Sequence, residues 1–72
     1  KPGLNARTKI IMALEEEPGL TIAQLSERTG LSYSAIRHHL ASLEREGIVA
    51  RSGRRPFKWA LTGLGQARLT EF

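Results

Sequence analysis

The 72-residue sequence contains no cysteine, which excludes disulfide bonds, thiolate zinc sites and a nucleophilic thiol. It also lacks the run of roughly 20 apolar residues that a membrane span needs, and no signal-peptide pattern opens it. A chain this short lies near the lower end of what folds without a disulfide or a metal. We therefore expect one domain over residues 1–72, in an intracellular protein without a membrane partner.

The groupings of residues that catalysis requires are missing as well. There is no nucleophile–base pair, no glycine loop that could cradle a phosphate and no set of metal ligands. Glu15, Glu16 and Glu17 are consecutive at a predicted helix end, where a solvated run explains them better than catalysis does. His38 and His39 are adjacent, and adjacent helical residues point about 100° apart, so they cannot chelate one metal together. We predict a protein that is not an enzyme, with no cofactor and no evident small-molecule ligand.

Positive charge is concentrated in one short segment. The sequence has 11 Lys and Arg against 7 Asp and Glu, which gives a net charge of +4 and a pI of about 10.4. Arg51, Arg54, Arg55 and Lys58 follow one another without an intervening acid. Attraction to phosphates requires cations gathered in this way, so the pattern favours a nucleic-acid partner.

Residues 21–47 have the pattern of a helix-turn-helix. Thr21, three residues before Gln24, predicts a capping box, in which each of the two side chains bonds a backbone N–H at the start of a helix. Gly30 can adopt the left-handed conformation that ends a helix, and Ser32 can cap the next one. Two capped helices joined by a short turn around a glycine describe this motif.

The second of these helices offers a polar face without acidic residues. At about 100° of rotation per residue, Ile36, Leu40 and Leu43 fall on an inward stripe. Arg37 flanks the opposite face, which carries Ser34, His38, Ala41 and Arg45. Such a face suits a DNA major groove, because Arg can bond guanine through two hydrogen bonds. A solvated amphipathic helix is the alternative, and the basic segment that follows makes it the weaker one.

The rest of the chain predicts a helix before this motif and a hairpin after it. Asn5 can cap a first helix that ends at about Glu17. Residues 48–51 are predicted as a strand, 52–56 as a turn, and 57–61 as a second strand whose alternate side chains pack on the helices. The predicted fold is therefore mainly α: a three-helix bundle with a small β-hairpin, a basic wing, over residues 48–61. Thr62 can cap a short C-terminal helix.

These residues resemble the winged helix-turn-helix domain of prokaryotic transcriptional regulators, with the MarR-like and ArsR-like groups as the nearest comparisons. The segment LSYSAIRHHLASLEREGIV is similar to their recognition helix running into the wing, and LTGLG at residues 61–65 is similar to their L-T-x-x-G motif. In that family the recognition helix enters the major groove, while the wing follows a minor groove or the phosphate backbone. The resemblance implies binding to double-stranded DNA, with these candidate contacts: Ser32, Tyr33, Ser34, Arg37, His38, Ala41, Arg45, Arg51, Arg54, Arg55 and Lys58.

Two departures from that family concern metal sensing and association. Without cysteine, the thiolate metal site of many ArsR-like sensors cannot form. The long dimerisation helices of MarR-like proteins are missing from this sequence, which leaves the mode of association open. We still predict a homodimer, because one recognition helix covers few base pairs and a two-fold symmetric dimer places two such helices on the DNA. Leu69 and Phe72 are the proposed contact.

The predicted wing is also similar to that of domains that bind left-handed DNA. Pro56 and Trp59 are similar to a pair in the wing of Z-DNA-binding domains. That family has Asn and Tyr on the recognition helix, four residues apart, where this chain has Arg37 and Ala41, counted back from Gly47. We therefore reject the assignment to that family.

Two functions remain. The leading hypothesis is sequence-specific binding of double-stranded DNA, by a transcriptional regulator or its DNA-reading domain, in the cytoplasm at the nucleoid. The alternative is a winged helix used for protein–protein assembly. That alternative predicts an exposed apolar patch and little affinity for DNA at physiological salt.

Overall fold

The computed structural model describes residues 5–63 of the chain. Its elements follow in the order α1 (Ala6–Glu16), α2 (Ile22–Thr29), α3 (Tyr33–Arg45), β1 (Val49–Ser52) and β2 (Lys58–Leu61). Three helices and one two-stranded antiparallel hairpin confirm the predicted fold class. None of the described helices has the length and apolar character that crossing a membrane requires. The predicted C-terminal helix, with Leu69 and Phe72, lies outside the described residues.

Each helix begins at a capping side chain that the sequence predicts. The Asn5 side chain accepts a hydrogen bond from the Thr8 N–H at 2.8 Å. At the start of α2, the Gln24 N–H donates to the Thr21 hydroxyl at 3.2 Å, and the Thr21 N–H donates to the Gln24 side chain at 2.9 Å. At the start of α3, the Ser32 hydroxyl accepts a hydrogen bond from the Ala35 N–H at 3.2 Å. The start of each helix is therefore fixed by bonds between residues three apart.

Glycines end the two helices of this motif. Gly30 closes α2 with a φ of 76°, and its N–H donates to the Ser26 carbonyl. After α3, the Ile48 N–H reaches back to the Leu43 carbonyl at 2.9 Å, while Gly47 has a φ of 79°. A side chain at such a positive φ would be strained, which explains why glycine stands at both turns.

One apolar core joins the three helices to the hairpin. The inward stripe of α3 is confirmed, since Ile36, Leu40 and Leu43 are each at most 1% exposed. The buried cluster consists of Ile10, Ile11, Leu14, Leu20, Leu25, Ile36, Leu40, Leu43, Ile48, Val49 and Trp59. Complete burial of one such side chain contributes about 1.5–3 kcal/mol relative to exposure, so this face of α3 is held inward and the opposite face outward.

The hairpin pairs β1 with β2 in a register that places Val49 opposite Leu61 and Arg51 opposite Trp59. Both strands lie within one residue of their predicted bounds. Thr62, predicted as the cap of a following helix, closes the base of the hairpin. Its N–H donates to the Ile48 carbonyl at 2.9 Å and its hydroxyl donates to the Gly47 carbonyl at 2.6 Å.

A backbone bridge that the sequence analysis did not predict ties the wing to the start of the helix-turn-helix. The Trp59 N–H donates to the Leu20 carbonyl at 2.9 Å, and the Trp59 carbonyl accepts from the Gly19 and Leu20 N–H groups. The residues just before α2 therefore form a short third element beside β2. This bridge joins β2 to the residues at the entrance of the helix-turn-helix.

Candidate nucleic-acid interface

The outer face of α3 is open to solvent from end to end. Every predicted contact on or just before this helix is exposed: Ser32, Tyr33, Ser34, Arg37, His38, Ala41 and Arg45. Tyr33, at 55% exposure, stands at the N-terminal end that would enter a groove first. The structure thus brings these residues onto one accessible surface, with hydrogen-bonding groups concentrated in its first two turns.

The tip of the wing presents cations that have no partner in the described part of the chain. Arg54 and Arg55 lie in the loop between the strands, are exposed and form no ion pair within residues 5–63. Lys58 begins β2 opposite Ser52 and is also exposed. Strand alternation directs Lys58 away from the face that buries Trp59.

A groove of about 540 Å³ separates α3 from the wing. Its lining includes the apolar side chains of Leu40 and Trp59 and, from the start of α2, residues 21–23. Arg37 of α3 and Arg55 of the wing also line it. An elongated anion lying along this groove would meet cations from both elements.

Arg51 differs from the other wing cations, because it is engaged within the protein. Its Nε lies 3.4 Å from Oε2 of Glu44 on α3, and its guanidinium lies 4.7 Å from the ring centroid of Phe57. The role of Arg51 in binding remains a prediction. The sequence analysis did not predict this pair.

Glu46, directly after α3, and Glu17, directly after α1, are also held by arginines. Glu46 accepts two hydrogen bonds from Arg7 at the start of α1. The hydrogen bond to Glu46 raises the pKa of Arg7 above its ordinary value, against a smaller opposing effect of burial. Glu17 pairs with Arg28 at the end of α2. Glu44 and Glu46, the two acidic residues at the C-terminal end of α3, thus both have arginine partners.

The adjacent histidines form an edge-to-face pair instead of a chelating one. Their ring centroids lie 5.4 Å apart at an interplanar angle of 71°. His38 is exposed, as predicted for the outer face of α3, and His39 is half-buried. Among residues 5–63, no group of three or more His, Asp or Glu side chains could hold a metal ion.

Comparison with known proteins assigns the family. Residues 5–51 match the family described as bacterial regulatory protein, arsR family. The chain belongs to this family. The match covers α1, the helix-turn-helix and most of β1, so it includes the elements that present the exposed face of α3. The arsR family consists of regulatory proteins, which confirms the prediction that the chain is not an enzyme.

Solved structures agree with this assignment. A MarR family transcriptional regulator from Silicibacter pomeroyi is 28% identical, with a TM-score of 0.84 over 89% of this chain and 44% of that one. A MarR family protein from Bacillus stearothermophilus is 26% identical, with a TM-score of 0.84 over 99% of this chain and 51% of that one. The arsR-family chain thus spans about half the length of the MarR-family proteins it matches. No curated protein sequence matches it.

A third similar structure binds an unusual DNA. The Zα domain of Carassius auratus PKZ, solved in complex with Z-DNA, is 28% identical, with a TM-score of 0.74 over 78% of this chain and 90% of that one. In this chain, Pro56 and Trp59 of the wing line the groove. Arg37 and Ala41 line the same groove from α3, in place of the Asn and Tyr expected of Z-DNA-binding domains.

Proposed function

We propose that this arsR-family chain binds double-stranded DNA sequence-specifically, as a transcriptional regulator or as the DNA-reading domain of one. One observation carries the proposal: Arg37 and Ala41 of the exposed face of α3 and Arg55 of the wing tip line a single groove. A duplex lying across the mouth of this groove would contact both elements at once.

The two elements would perform different tasks. Arg37, Ser34 and His38 carry donors and acceptors that suit base edges in the major groove. Arg54 and Arg55 are flexible cations on a loop, and such groups position a protein on phosphates without reading sequence. Specificity would therefore reside on α3, and a large share of the affinity on the wing.

The test is selection from a pool of random duplexes, followed by fluorescence-anisotropy titrations of the selected and a scrambled duplex at two salt concentrations. We expect tighter binding to the selected duplex and weaker binding to both duplexes at higher salt. A left-handed CG-repeat duplex serves as a third probe, for which we expect no preference because of Arg37 and Ala41. Failure to enrich any sequence would refute sequence-specific binding, and no binding at low salt would refute DNA binding altogether.

A regulator of this kind would act at the nucleoid in the cytoplasm, as a homodimer on two half-sites. Half-sites should lie about 34–36 Å apart, one turn of DNA, or a multiple of it. The predicted contact residues, Leu69 and Phe72, lie outside the described residues. Sedimentation of the free protein and of its complex with the selected duplex tests the dimer, and a monomer in both would contradict it.

The assembly-module alternative receives less support. It predicts an exposed apolar patch, whereas the large hydrophobic side chains exposed among residues 5–63 are Met12 and Tyr33. Met12 is on α1 beside Lys9 and Arg28, and Tyr33 borders the groove on α3. Two separate side chains do not form the contiguous surface that a stable protein interface needs.

A further inference from the structure

Arg51 lies on the inner face of the wing, although it belongs to the basic segment. Val49 is buried, and residues two apart on a strand share a face, so Arg51 points toward the helices. Its register partner is Trp59, which is buried on the same side. Phe57 is the diagonal neighbour on that face, which accounts for the ring that lies 4.7 Å from the guanidinium.

Glu44 supplies the contact from the helix. It is on α3 one turn after Leu40, and its carboxylate lies 3.4 Å from the Arg51 Nε. Glu44 and Arg51 both line the groove. One cation is thus held between a carboxylate of the recognition helix and an aromatic ring of the wing.

We propose that Arg51 and Glu44 form a positioning pair, which sets the wing at a fixed distance from α3, and that Arg51 does not contact phosphate. This inference rests on the proposed function. The pair couples the bases read by α3 to the phosphates held by Arg54 and Arg55. Breaking it lets the wing move relative to the helix, so a duplex that fits both elements at once loses its advantage over one that fits only the wing.

A phosphate contact by Arg51 makes a different prediction. Glu44 would then be a competing anion beside a phosphate site, and its neutralisation would strengthen binding to every duplex. Under the positioning proposal, neutralising Glu44 lowers the preference for the selected duplex just as neutralising Arg51 does. The Glu44→Gln variant therefore distinguishes the two accounts. Tighter binding to every duplex indicates a phosphate contact by Arg51, and a lower preference for the selected duplex indicates a positioning pair.

The test is a double-mutant cycle with Arg51→Gln, Glu44→Gln and the double variant, each titrated with the selected and the scrambled duplex. We expect each single variant to lower the ratio of the two affinities by about threefold to tenfold, the range for one half-exposed ion pair with a cation–π contact. The double variant should show the same ratio as either single one, because both changes break one interaction. The salt slope of Arg51→Gln should equal that of the wild type.

Arg54→Gln is the matched control, since it removes one exposed wing cation without an internal partner. It should weaken binding to both duplexes equally and flatten the salt slope by about 0.9. If Arg51→Gln behaves like this control while Glu44→Gln tightens both duplexes, the positioning proposal is overturned. Additive effects in the double variant, or no effect in either single variant, overturn it as well.

A measurement on the free protein separates this proposal from the proposed function. The Phe57 ring should shield the side-chain protons of Arg51 in the NMR spectrum. Glu44→Gln should reduce that shielding and lower the heteronuclear NOE of the Gly53 and Arg54 amides. A wild-type chain that prefers no duplex would refute the proposed function, whereas unchanged shielding and wing order in Glu44→Gln would refute the pair.

Discussion

Replacement of both wing-tip arginines by alanine should change the salt dependence of DNA binding more than it changes the fold. Arg54 and Arg55 are exposed and form no ion pair within the described residues, so neither contributes measurably to packing. Each neutralised phosphate contributes about −0.9 to the slope of log affinity against log salt, so two contacts contribute about 1.8. Between about 50 and 200 mM salt, the wild type should then lose about twelvefold more affinity than Arg54→Ala/Arg55→Ala.

The assay is an anisotropy titration of both proteins at several salt concentrations, with the selected and the scrambled duplex. Lys9→Ala/Arg28→Ala is the matched control, because it removes the same charge from a chain of net charge +4. Lys9 and Arg28 line a depression between α1 and α2 that shares no residue with the groove. The control should leave the slope near that of the wild type.

Two results would refute this reasoning. Equal flattening in the control would mean that net charge, not contact by the wing, determines the slope. A wild-type slope and affinity in Arg54→Ala/Arg55→Ala, with an unchanged melting temperature, would mean that the wing does not touch DNA. The assembly-module alternative would then become the better account of the basic hairpin.

Three further variants test the helix-turn-helix. Arg37→Ala should cost about 1–3 kcal/mol on the selected duplex and much less on the scrambled one, as measured by anisotropy; equal losses would make Arg37 a phosphate contact. Leu25→Ala, at a fully buried site, should lower the free energy of unfolding in urea by about 2–5 kcal/mol, which is a large part of the total for a domain of this size. Thr21→Ala should cost about 1 kcal/mol in the same urea titration, and a loss near zero would contradict the capping role seen in the structure.

Local features of the fold could be predicted from the sequence because their causes are local. Asn5, Thr21 and Ser32 bond N–H groups three residues away, and each is recognisable from its neighbours alone. The inward stripe of α3 follows from helical periodicity, as does the exposure of the opposite face. These signals were enough to predict the fold and the surface that carries the candidate contacts.

The pairs that join distant parts of the chain could not be predicted in this way. Arg7 reaches Glu46 only because α1 crosses the end of α3, and no periodicity within either helix indicates that crossing. The Glu44–Arg51 pair could have been predicted in part, because Arg51 is two residues after Val49 on one strand and therefore shares its inward face. Its place among the wing cations indicated a DNA contact instead.

The bridge between Leu20 and Trp59 has a consequence for how the chain acquires its structure. The two residues are about forty positions apart, so their hydrogen bonds close a long loop, and the entropy of closing it must be offset by the contacts that form with it. Amide exchange at Leu20 and Trp59 should therefore be governed by one opening event that releases both groups together. During synthesis, β2, which bonds the residues just before α2, is the last described element to leave the ribosome. The helix-turn-helix thus reaches its final hydrogen-bonded form only after the wing has been made.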